Sequence, residues 1–480
     1  MTRKADGTNT PYGSEIFKVQ QHREGRRRVM KGAIVEPARE IPVFDEVDVL
    51  VIGGGPAGTA AATSAARLGA RTLLVERHNH LGGLATGGLV IWIDRMTDWE
   101  GKPVIRGFAE EVLARLPRDA IHGPAAADWG SREPGSVAHW GRRFSAFHGV
   151  VTWAPMTDPE WMKQTLATLV REAGAELLLH AWAARPLMEE SRVAGAILES
   201  KQGRLAIRAK RVVDTTGDGD MFVQAGAAHD EDIDENSIHH CMNVAWLWAG
   251  VDMARWFHFA ATDPEGHKAF LSEGRARLGL FEPPMASWRD DVCVFMGPRY
   301  SGFSAVSLDD LTAVETLSRD KLFEMLAHFR RHAPGFEKAW VMLTAPQMGV
   351  RHSRRARGLG GVSAADWKRG HVHADEIGVS PSLTPHFPSV SVPYRALVPA
   401  GVDNLLVAGR HIACDASSHG FMREIPQCWM TGQAAGAAAA LSLAAGCTPA
   451  ALDVAALRAA LVRQGVHLHE PGAAATRAAE

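Results

Sequence analysis

The stretch Asp48–Arg77, DVLVIGGGPAGTAAATSAARLGARTLLVER, constrains the fold more than any other part of the sequence. It opens with a continuous apolar run that is typical of a parallel strand buried on both faces. After a glycine-rich turn, an alanine-rich helix is predicted from about Ala57 to Leu68, and Gly69 is well placed to end it. The next apolar run predicts a second buried strand ending at Glu76. This order of elements predicts an α/β domain built on a parallel sheet.

The glycines of the turn have the spacing G-x-G-x-x-G, at Gly53, Gly55 and Gly58. The first permits a tight turn, the second lets the backbone approach a pyrophosphate, and the third lets the helix pack closely on the strand. The helix start offers N–H groups and partial positive charge to phosphates. Glu76 can accept hydrogen bonds from both hydroxyls of an adenosine ribose. Dinucleotide binding is predicted, the alternative being a glycine-rich turn that binds nothing.

The residues after Glu76 favour FAD over NAD. The sequence ERHNHLGG places Gly82 and Gly83 where the pyrophosphate end of a long, extended cofactor would pass. An NAD-binding domain has no need of this second glycine pair. FAD is therefore the predicted cofactor.

With these motifs the chain resembles the two-domain FAD-dependent oxidoreductases of the glutathione-reductase-like superfamily, and most of all a bacterial family of FAD-dependent oxidoreductases. The shared motifs are GGGPAG…ER…LGG, VVDTTGDGD at 212–220, MGVRHSRR at 348–355, NLLVAGR at 404–410 and GQAAG at 432–436. The resemblance covers residues 44 to about 446. It implies FAD along the first domain, a substrate domain over the flavin ring, and hydride exchange at the flavin.

The predicted fold class is α/β, with an FAD-binding, Rossmann-like three-layer domain and a second, α+β substrate domain. We expect an N-terminal arm over 1–43, a discontinuous FAD-binding domain over 44–95, 150–230 and 395–447, a cap-like excursion over 96–149, a substrate domain over 231–394, and a C-terminal helix and tail over 448–480. In the substrate domain, Trp246, Trp248 and Trp256 either line a ring-binding pocket or pack in the core.

The predicted FAD site combines the motif residues with the start of a long Ala/Gly-rich helix after Arg423, which can stabilise negative charge on a reduced flavin. Thr216 and Asp218 are also explained as turn residues that bond their own backbone, and for Asp218 this interpretation is preferred. The predicted cofactor-binding residues are Gly53, Gly55, Pro56, Ala57, Gly58, Glu76, Arg77, Gly82, Gly83, Leu84, Ala183, Thr216, Gly217, Asp218, Gly409, Arg410 and Gln427.

The family resemblance makes Arg351 and His352 candidates for anchoring or protonating the substrate. A histidine can exchange a proton near neutral pH while flavin N5 exchanges a hydride. His411, His419 and Arg423, which flank the start of the long helix, are the rival candidates. For each histidine a purely structural role remains the alternative.

Charge and cysteine usage exclude other classes. A formal net charge of -2 offers no field for nucleic acid, and the five cysteines show neither C-x-x-C nor metal-ligand spacing. No metal is expected at His239-His240, His371/His373 or His467/His469, which have no partnering cluster. We find no apolar window of about 18 residues and no signal-peptide pattern, so a cytoplasmic protein without a membrane segment is expected. The sequence leaves open whether the protein forms a homo-oligomer.

These features predict an FAD-dependent oxidoreductase that transfers a hydride between a small organic molecule and the flavin, as a dehydrogenase or oxidase. One alternative is a flavin-dependent reductase of an unsaturated substrate. Another is a non-catalytic binding protein on the same fold, which the intact Glu76 and the Gly82-Gly83 pair oppose. A flavin-dependent RNA modifier would show a basic face, which the charge balance does not suggest.

Overall fold

The computed structural model describes residues 28–231 and 241–470. Most of the predicted N-terminal arm, the His239-His240 pair and the end of the predicted tail lie outside the described residues. The part of the arm from residue 28 to residue 42 forms no helix or strand.

The strands, in chain order, are β1 (Val43–Ile52), β2 (Thr72–Val75), β3 (Ile121–His122), β4 (Ala146–Phe147), β5 (Val150–Val151), β6 (Met156–Thr157), β7 (Glu176–Leu178), β8 (Trp182–Glu189), β9 (Arg192–Ser200), β10 (Gly203–Asp214), β11 (His229–Asp230), β12 (Met242–Asn243), β13 (Trp246–Ala249), β14 (Met285–Ala286), β15 (Val292–Phe295), β16 (Trp340–Thr344), β17 (Gly349–Val350), β18 (Arg355–Ala356), β19 (Glu376–Ser380), β20 (Val390–Pro393) and β21 (Leu405–Val407). The helices are α1 (Pro56–Arg67), α2 (Phe108–Arg115), α3 (Pro134–Gly141), α4 (Pro159–Glu172), α5 (Asp220–Gln224), α6 (Met253–Thr262), α7 (Pro264–Leu278), α8 (Leu308–His332), α9 (Ala364–Lys368), α10 (Ala416–Met422), α11 (Ile425–Ala444) and α12 (Val454–Arg463).

The described residues form two compact units, and the larger one contains residues 30–231 and 351–470. Its main sheet has the order β7-β2-β1-β10-β9-β8, and β21 pairs with the carboxyl-terminal part of β10. Strands β7, β2, β1, β10 and β21 are parallel, whereas β9 and β8 are antiparallel. This confirms the predicted α/β fold with a Rossmann-like parallel core.

Two alanine-rich helices, α1 and α11, pack closely on each other in this unit. Gly432 and Gly436 lie one helical turn apart on α11 and meet the α1 backbone at Ala57 and Ala61. Because neither glycine has a Cβ, the two backbones can approach until only small side chains fit between them. The long Ala/Gly-rich helix predicted after Arg423 is confirmed as α11.

The smaller unit contains residues 28–29 and 241–350. Its antiparallel sheet has the order β14-β15-β13-β16, and its helices are α6, α7 and α8. Trp246, Trp248 and Trp256 are fully buried and pack with Phe295 and Phe329. Of the two interpretations of these tryptophans, core packing is the one the structure supports.

The boundary between the compact units is not the expected boundary between the FAD-binding and substrate domains. Residues 351–394, expected in a substrate domain, belong to the larger unit, because the β19–β20 hairpin packs on α11. In the same unit, His180, whose φ of +59° breaks the extended backbone, separates β7 from β8. The functional roles given to the domains remain predictions. In the described part of the chain, no helix is both long and apolar enough to cross a membrane.

Candidate functional site

The carboxyl ends of four parallel strands meet at one edge of the main sheet. Val75 of β2 pairs with Ile52 of β1, Ile52 pairs with Asp214 of β10, and Asp214 pairs with Val407 of β21. The loops that follow these strands carry most of the predicted cofactor-binding residues. Ligands of open α/β sheets bind outside such carboxyl ends, so this edge is the candidate site.

The three glycines of the first loop differ in what surrounds them. Gly53 has a φ of +103°, and a Cβ on Gly58 would lie 1.7 Å from the Gly53 carbonyl oxygen. A Cβ on Gly55 would meet no protein atom within 4 Å. No side chain of the described residues caps α1, which starts with Pro56. The space at Gly55, beside uncapped N–H groups such as that of Ala57, fits a pyrophosphate.

Glu76 follows β2 and is buried beside this loop. Its Oε2 accepts a hydrogen bond of 2.6 Å from the Gly54 N–H, and its Oε1 accepts one of 2.8 Å from the His78 N–H. These bonds fix the carboxylate, and each oxygen keeps a second lone pair for a ribose hydroxyl.

The second glycine pair docks directly on the first loop. The Gly82 N–H donates to the Gly54 carbonyl oxygen at 2.8 Å. A Cβ on Gly83, whose φ is +50°, would lie 2.9 Å from the Gly55 Cα. Leu84 follows in a short 3-10 helix over Gly83–Ala85. The structure therefore brings together the two glycine motifs that the sequence separates by more than twenty residues.

Arg77 and Ala183 lie on the same side of the site as Glu76. The backbone after β7 runs along this loop, with the Ala181 N–H donating to the Glu76 carbonyl oxygen at 3.1 Å. The Arg77 guanidinium lies 4.8 Å from the centre of the Trp182 ring, and Ala183 is the next residue of β8. This side is expected to receive the adenine half of the cofactor.

The turn after β10 is organised by the buried Asp214. Its Oδ1 accepts a bond of 2.7 Å from the Thr216 hydroxyl, and its Oδ2 accepts bonds from the first N–H groups of α5. The Thr216 hydroxyl in turn accepts bonds from the N–H groups of Gly219 and Asp220. Thr216 is therefore used as a turn residue, and its neighbour Gly217 adopts a φ of +81°.

The turn interpretation of Asp218 is wrong. Its Oδ1 accepts from the Ser353 hydroxyl at 2.7 Å and from the Arg410 guanidinium at 2.9 Å. Burial raises the pKa of this carboxyl, but Arg410 and the Ser353 hydroxyl more than offset that effect, so the pKa lies below its usual value. Asp218 thus ties the β10 loop to the β21 loop instead of closing its own turn.

Replacing Asp218 by Asn is expected to lower the free energy of unfolding by about 3 kcal/mol, because it leaves the Arg410 charge largely buried without a counter-charge. Since the folded pKa lies below the unfolded one, the effect is full at pH 7 and shrinks as the pH falls below about 4. Urea unfolding of the wild type and of the variant, at pH 7 and below about pH 4, measures this loss of stability. The control is Asp230→Asn, which breaks the exposed pair with Arg357 and should cost less than about 1 kcal/mol. Equal losses in the two variants would contradict the expectation.

The start of α11 meets the loop after β21. The Gly409 N–H donates to the Thr431 hydroxyl at 3.1 Å, and Gly409 has a φ of +92°. Gln427, in the first turn of α11, donates from Nε2 to the Ser380 hydroxyl at 3.0 Å. Among the described residues its Oε1 is buried and has no hydrogen-bond donor. An N–H group of a bound cofactor ring would satisfy this oxygen.

The predicted catalytic residues are not equivalent in the structure. The ring of His352 packs against that of His419, with centres 4.9 Å apart and planes nearly perpendicular. Arg423 lies two residues before the first residue of α11, and its guanidinium pairs with Glu424 at 3.0 Å. Arg351 is half-buried and directly precedes His352.

His411, by contrast, points back into the sheet. It is fully buried, its Nε2 lies 3.0 Å from the Asp214 carbonyl oxygen, and its ring contacts Phe222. A proton carrier must reach the reacting atoms, so the geometry favours the His352–His419 pair over His411.

His419 is held neutral by its surroundings. Burial, followed by the charges of His352, Arg423 and other nearby arginines, lowers its pKa well below the usual value. Its Nε2 lies 3.1 Å from the Arg410 carbonyl oxygen, which assigns the N–H to this nitrogen and leaves Nδ1 as the acceptor.

Sequence reasoning missed three residues of the site. The Thr215 hydroxyl donates to the Gly53 carbonyl oxygen at 2.7 Å and so ties β10 to the first glycine loop. Ser353 and Thr431 bond Asp218 and Gly409, as described above. Thr215 and Ser353 could have been found, because they stand inside the TTGDG and MGVRHSRR motifs, whereas Thr431 has no local signal.

No group of three or more His, Cys, Asp or Glu side chains within 28–231 and 241–470 could hold a metal ion. His371 and His373 contact each other, and His469 pairs through Nδ1 with the buried Glu376 at 2.7 Å. The His239-His240 pair lies outside these ranges.

The parallel sheet and the glycine loops at its carboxyl edge are the arrangement expected of a dinucleotide-binding protein. A model of the FAD dependent oxidoreductase family matches residues 48–461, and the chain belongs to this family. FAD is thus its cofactor, and it is an enzyme rather than a non-catalytic binding protein. The finer placements, glutathione-reductase-like and bacterial, remain predictions; the two curated relatives described next are archaeal.

The individual relatives share only about 30% identity with the chain, over part of its length. Over 240 residues the chain is 29% identical to digeranylgeranylglycerophospholipid reductase of Thermoplasma volcanium, with 49% of this chain and 57% of the relative covered. Over 182 residues it is 31% identical to thiamine thiazole synthase of Aeropyrum pernix, with 35% and 54% covered. The chain spans about half the length of these curated relatives. A geranylgeranyl bacteriochlorophyll reductase-like protein of Thermoplasma acidophilum has a TM-score of 0.42 and 15% identity, over 88% of this chain and 82% of that one.

Proposed function

We propose that this enzyme transfers a hydride between a small organic substrate and N5 of FAD, as a dehydrogenase or oxidase. The observation that carries the proposal is the His352–His419 pair beside the start of α11, in the same unit as the glycine loops and Glu76. When bound, FAD supplies the hydride acceptor or donor. The residues of the chain have to bind the cofactor, place the substrate and move a proton.

The residues that would hold the cofactor form two groups, one for the adenosine and pyrophosphate of FAD and one for its flavin ring. Glu76, with Arg77 and Ala183 beside it, suits the adenosine, while the open space at Gly55 and the docked Gly82-Gly83 pair suit the pyrophosphate. Toward the other half, Gln427 offers the buried acceptor Oε1 and the N-terminus of α11 offers partial positive charge. That charge favours a ring that gains electrons.

His352 is the proposed proton carrier. Its neighbour His419 is neutral and bonded to the Arg410 carbonyl oxygen, which fixes one side of the pair. A positioned histidine that takes or gives a proton contributes about 10²- to 10⁴-fold to a rate. Arg351 and Arg423 are proposed to hold the substrate or balance its charge.

His352→Gln is expected to slow anaerobic flavin reduction at least about 100-fold while FAD stays bound. The measurement is the loss of visible flavin absorption against a panel of alcohols, amines and α,β-unsaturated compounds, recorded over a range of pH. The control is His258→Gln, which changes an exposed histidine of α6. Loss of FAD from the His352 variant would mean that the residue holds the cofactor, and an unchanged rate would remove it as proton carrier.

A second candidate function is reduction of an unsaturated substrate by the reduced flavin. It is supported by the name of one relative, digeranylgeranylglycerophospholipid reductase. Re-oxidation of the chemically reduced enzyme by α,β-unsaturated compounds under anaerobic conditions, compared with re-oxidation by oxygen in a separate measurement, distinguishes it. Faster re-oxidation by these compounds than by oxygen would favour the reductase.

A further inference from the structure

A buried arginine directly before the cap-like excursion lies beside two aromatic rings. The guanidinium carbon of Arg95 lies 4.4 Å from the centre of the Trp99 ring and 6.0 Å from that of Phe147. The residue is only 9% exposed. We call this group, together with His148 and Ser382, the Arg95 cage.

The cage is held by a tight hairpin. Strands β4 and β5 are joined by the two residues His148 and Gly149, with φ values of +50° and +74°, the left-handed pair that two-residue hairpins require. This turn places Phe147 and His148 together, and the His148 ring meets the Trp99 ring edge-on at 5.2 Å. The walls of the cage are thus fixed by the local backbone.

The charge of Arg95 is incompletely used by the protein. Its Nε lies 3.4 Å from Oδ1 of Asp94, an oxygen that already accepts from the Arg95 N–H at 2.7 Å. Its Nη1 donates at 3.3 Å to the Ser382 carbonyl oxygen, which Trp99 also bonds. Within the described residues Nη2 donates to no acceptor. A buried guanidinium with one long ion pair is costly, and the Nη1–Nη2 end is the fork that binds a carboxylate with two parallel bonds.

Within the cage, the Ser382 carbonyl oxygen is the acceptor that takes a bond from the fork, at 3.3 Å from Nη1. Burial, then the charges of Arg95 and His386, lowers the pKa of His148, so its imidazole is neutral at pH 7. Asp94 is engaged at one oxygen by the Arg95 backbone and side chain. The rings of Trp99 and Phe147 make the surroundings of the charge apolar, which suits a substrate that bears a ring.

The cage lies next to the residues proposed to hold the flavin. Ser382 is two residues from Ser380, whose hydroxyl accepts from Gln427 in the first turn of α11. Farther along the cap-like segment, the Phe108 N–H donates to Gln433 of the same helix at 3.0 Å. The segment that carries Ser380 and Ser382 and the segment that carries Phe108 therefore both contact the amino-terminal half of α11.

We propose that Arg95 anchors the carboxylate of a ring-bearing small substrate, with Trp99 and Phe147 contacting the ring. The inference rests on the proposed function, because it names the substrate class of the same flavin site. Arg95 is then a specificity-determining residue, whereas His352 moves the proton.

The test is equilibrium binding of benzoate to the oxidised, FAD-loaded enzyme, with benzamide as the uncharged match and phenyl phosphate as the alternative anion. Shifts of the flavin absorption and of the thermal unfolding midpoint are both recorded. Benzoate should bind at least about 10-fold more tightly than either match, and Arg95→Gln should weaken it about 10- to 100-fold, the loss of a charge-assisted pair. Arg95→Lys, which keeps the charge but not the fork, should show most of this loss. The control, Arg118→Gln, changes an exposed arginine of the cap-like excursion.

Equal binding of benzoate and benzamide, or benzoate binding that survives in both Arg95 variants, would overturn the inference, as would the absence of any benzoate effect on the wild type. Tighter binding of phenyl phosphate would overturn the carboxylate assignment. If Arg95→Gln does not unfold cooperatively, Arg95→Lys carries the comparison. A purified protein without bound flavin would instead remove the proposed function itself.

Discussion

Gly55→Ala is expected to fold like the wild type and to bind FAD about 10- to 100-fold more weakly. A Cβ at this position meets no protein atom within 4 Å, and the residue has an ordinary φ of -68°. Neither the packing nor the backbone angle of the protein therefore requires a glycine at position 55. A pyrophosphate bonded to the uncapped N–H groups of α1 does, because an added methyl group would occupy its place.

Two further glycines make this prediction sharp. Gly58→Ala puts a Cβ 1.7 Å from a backbone oxygen and should destabilise the fold and lose FAD together. Gly141→Ala, at the end of α3, brings its Cβ no closer than 3.9 Å to another atom and should change neither property. Thermal unfolding and titration of the flavin-free proteins with FAD give both quantities. Unchanged FAD affinity in Gly55→Ala would show that the cofactor lies elsewhere.

Gly432→Ala is expected to reduce the free energy of unfolding by more than about 4 kcal/mol, or to prevent folding. Its Cβ would lie 2.1 Å from the Ala57 carbonyl oxygen and 2.6 Å from the Ala57 Cα. These are backbone atoms of α1, so no side chain can turn aside and the helices must separate. The loss should outweigh the gain in helix propensity from Gly to Ala, which is about 1 kcal/mol.

Denaturant unfolding of Gly432→Ala and of Gly436→Ala, whose Cβ would lie 2.0 Å from the Ala61 carbonyl oxygen, measures this effect. Gly141→Ala, again in a helix but facing open space, serves as the control and should stay within about 1 kcal/mol of the wild type. An unfolding midpoint for Gly432→Ala at or above that of the control would mean that α1 and α11 are not in backbone contact.

The parts of the site that could be predicted are those encoded within one short segment. The positions Gly53, Gly55 and Gly58 follow from a strand, a turn and a helix in succession, and Glu76 follows from the end of the next strand. Each has a local physical reason to be that residue type. The Gly82-Gly83 pair was found in the same way, as a second flexible loop a few residues further on.

The parts that could not be predicted join segments far apart in the chain. The Asp218–Arg410 pair spans 192 positions, and local turn chemistry gave the wrong partner for Asp218. The bond of Thr431 to Gly409 could not be predicted, because the composition of its helix indicates only close packing. The Arg95 cage depends on a hairpin tip and on Ser382, 287 positions away from Arg95. Such contacts are decided by tertiary packing, for which a single sequence offers no periodicity to read.

The most direct test of the account is the electron density of FAD in crystals of the purified enzyme. We predict the adenosine ribose at Glu76, the pyrophosphate at Gly55 beside the Gly82-Gly83 pair, and the ring toward Gln427 and the start of α11. Density for FAD at another edge of the sheet, or a nicotinamide nucleotide on the glycine loops, would contradict it.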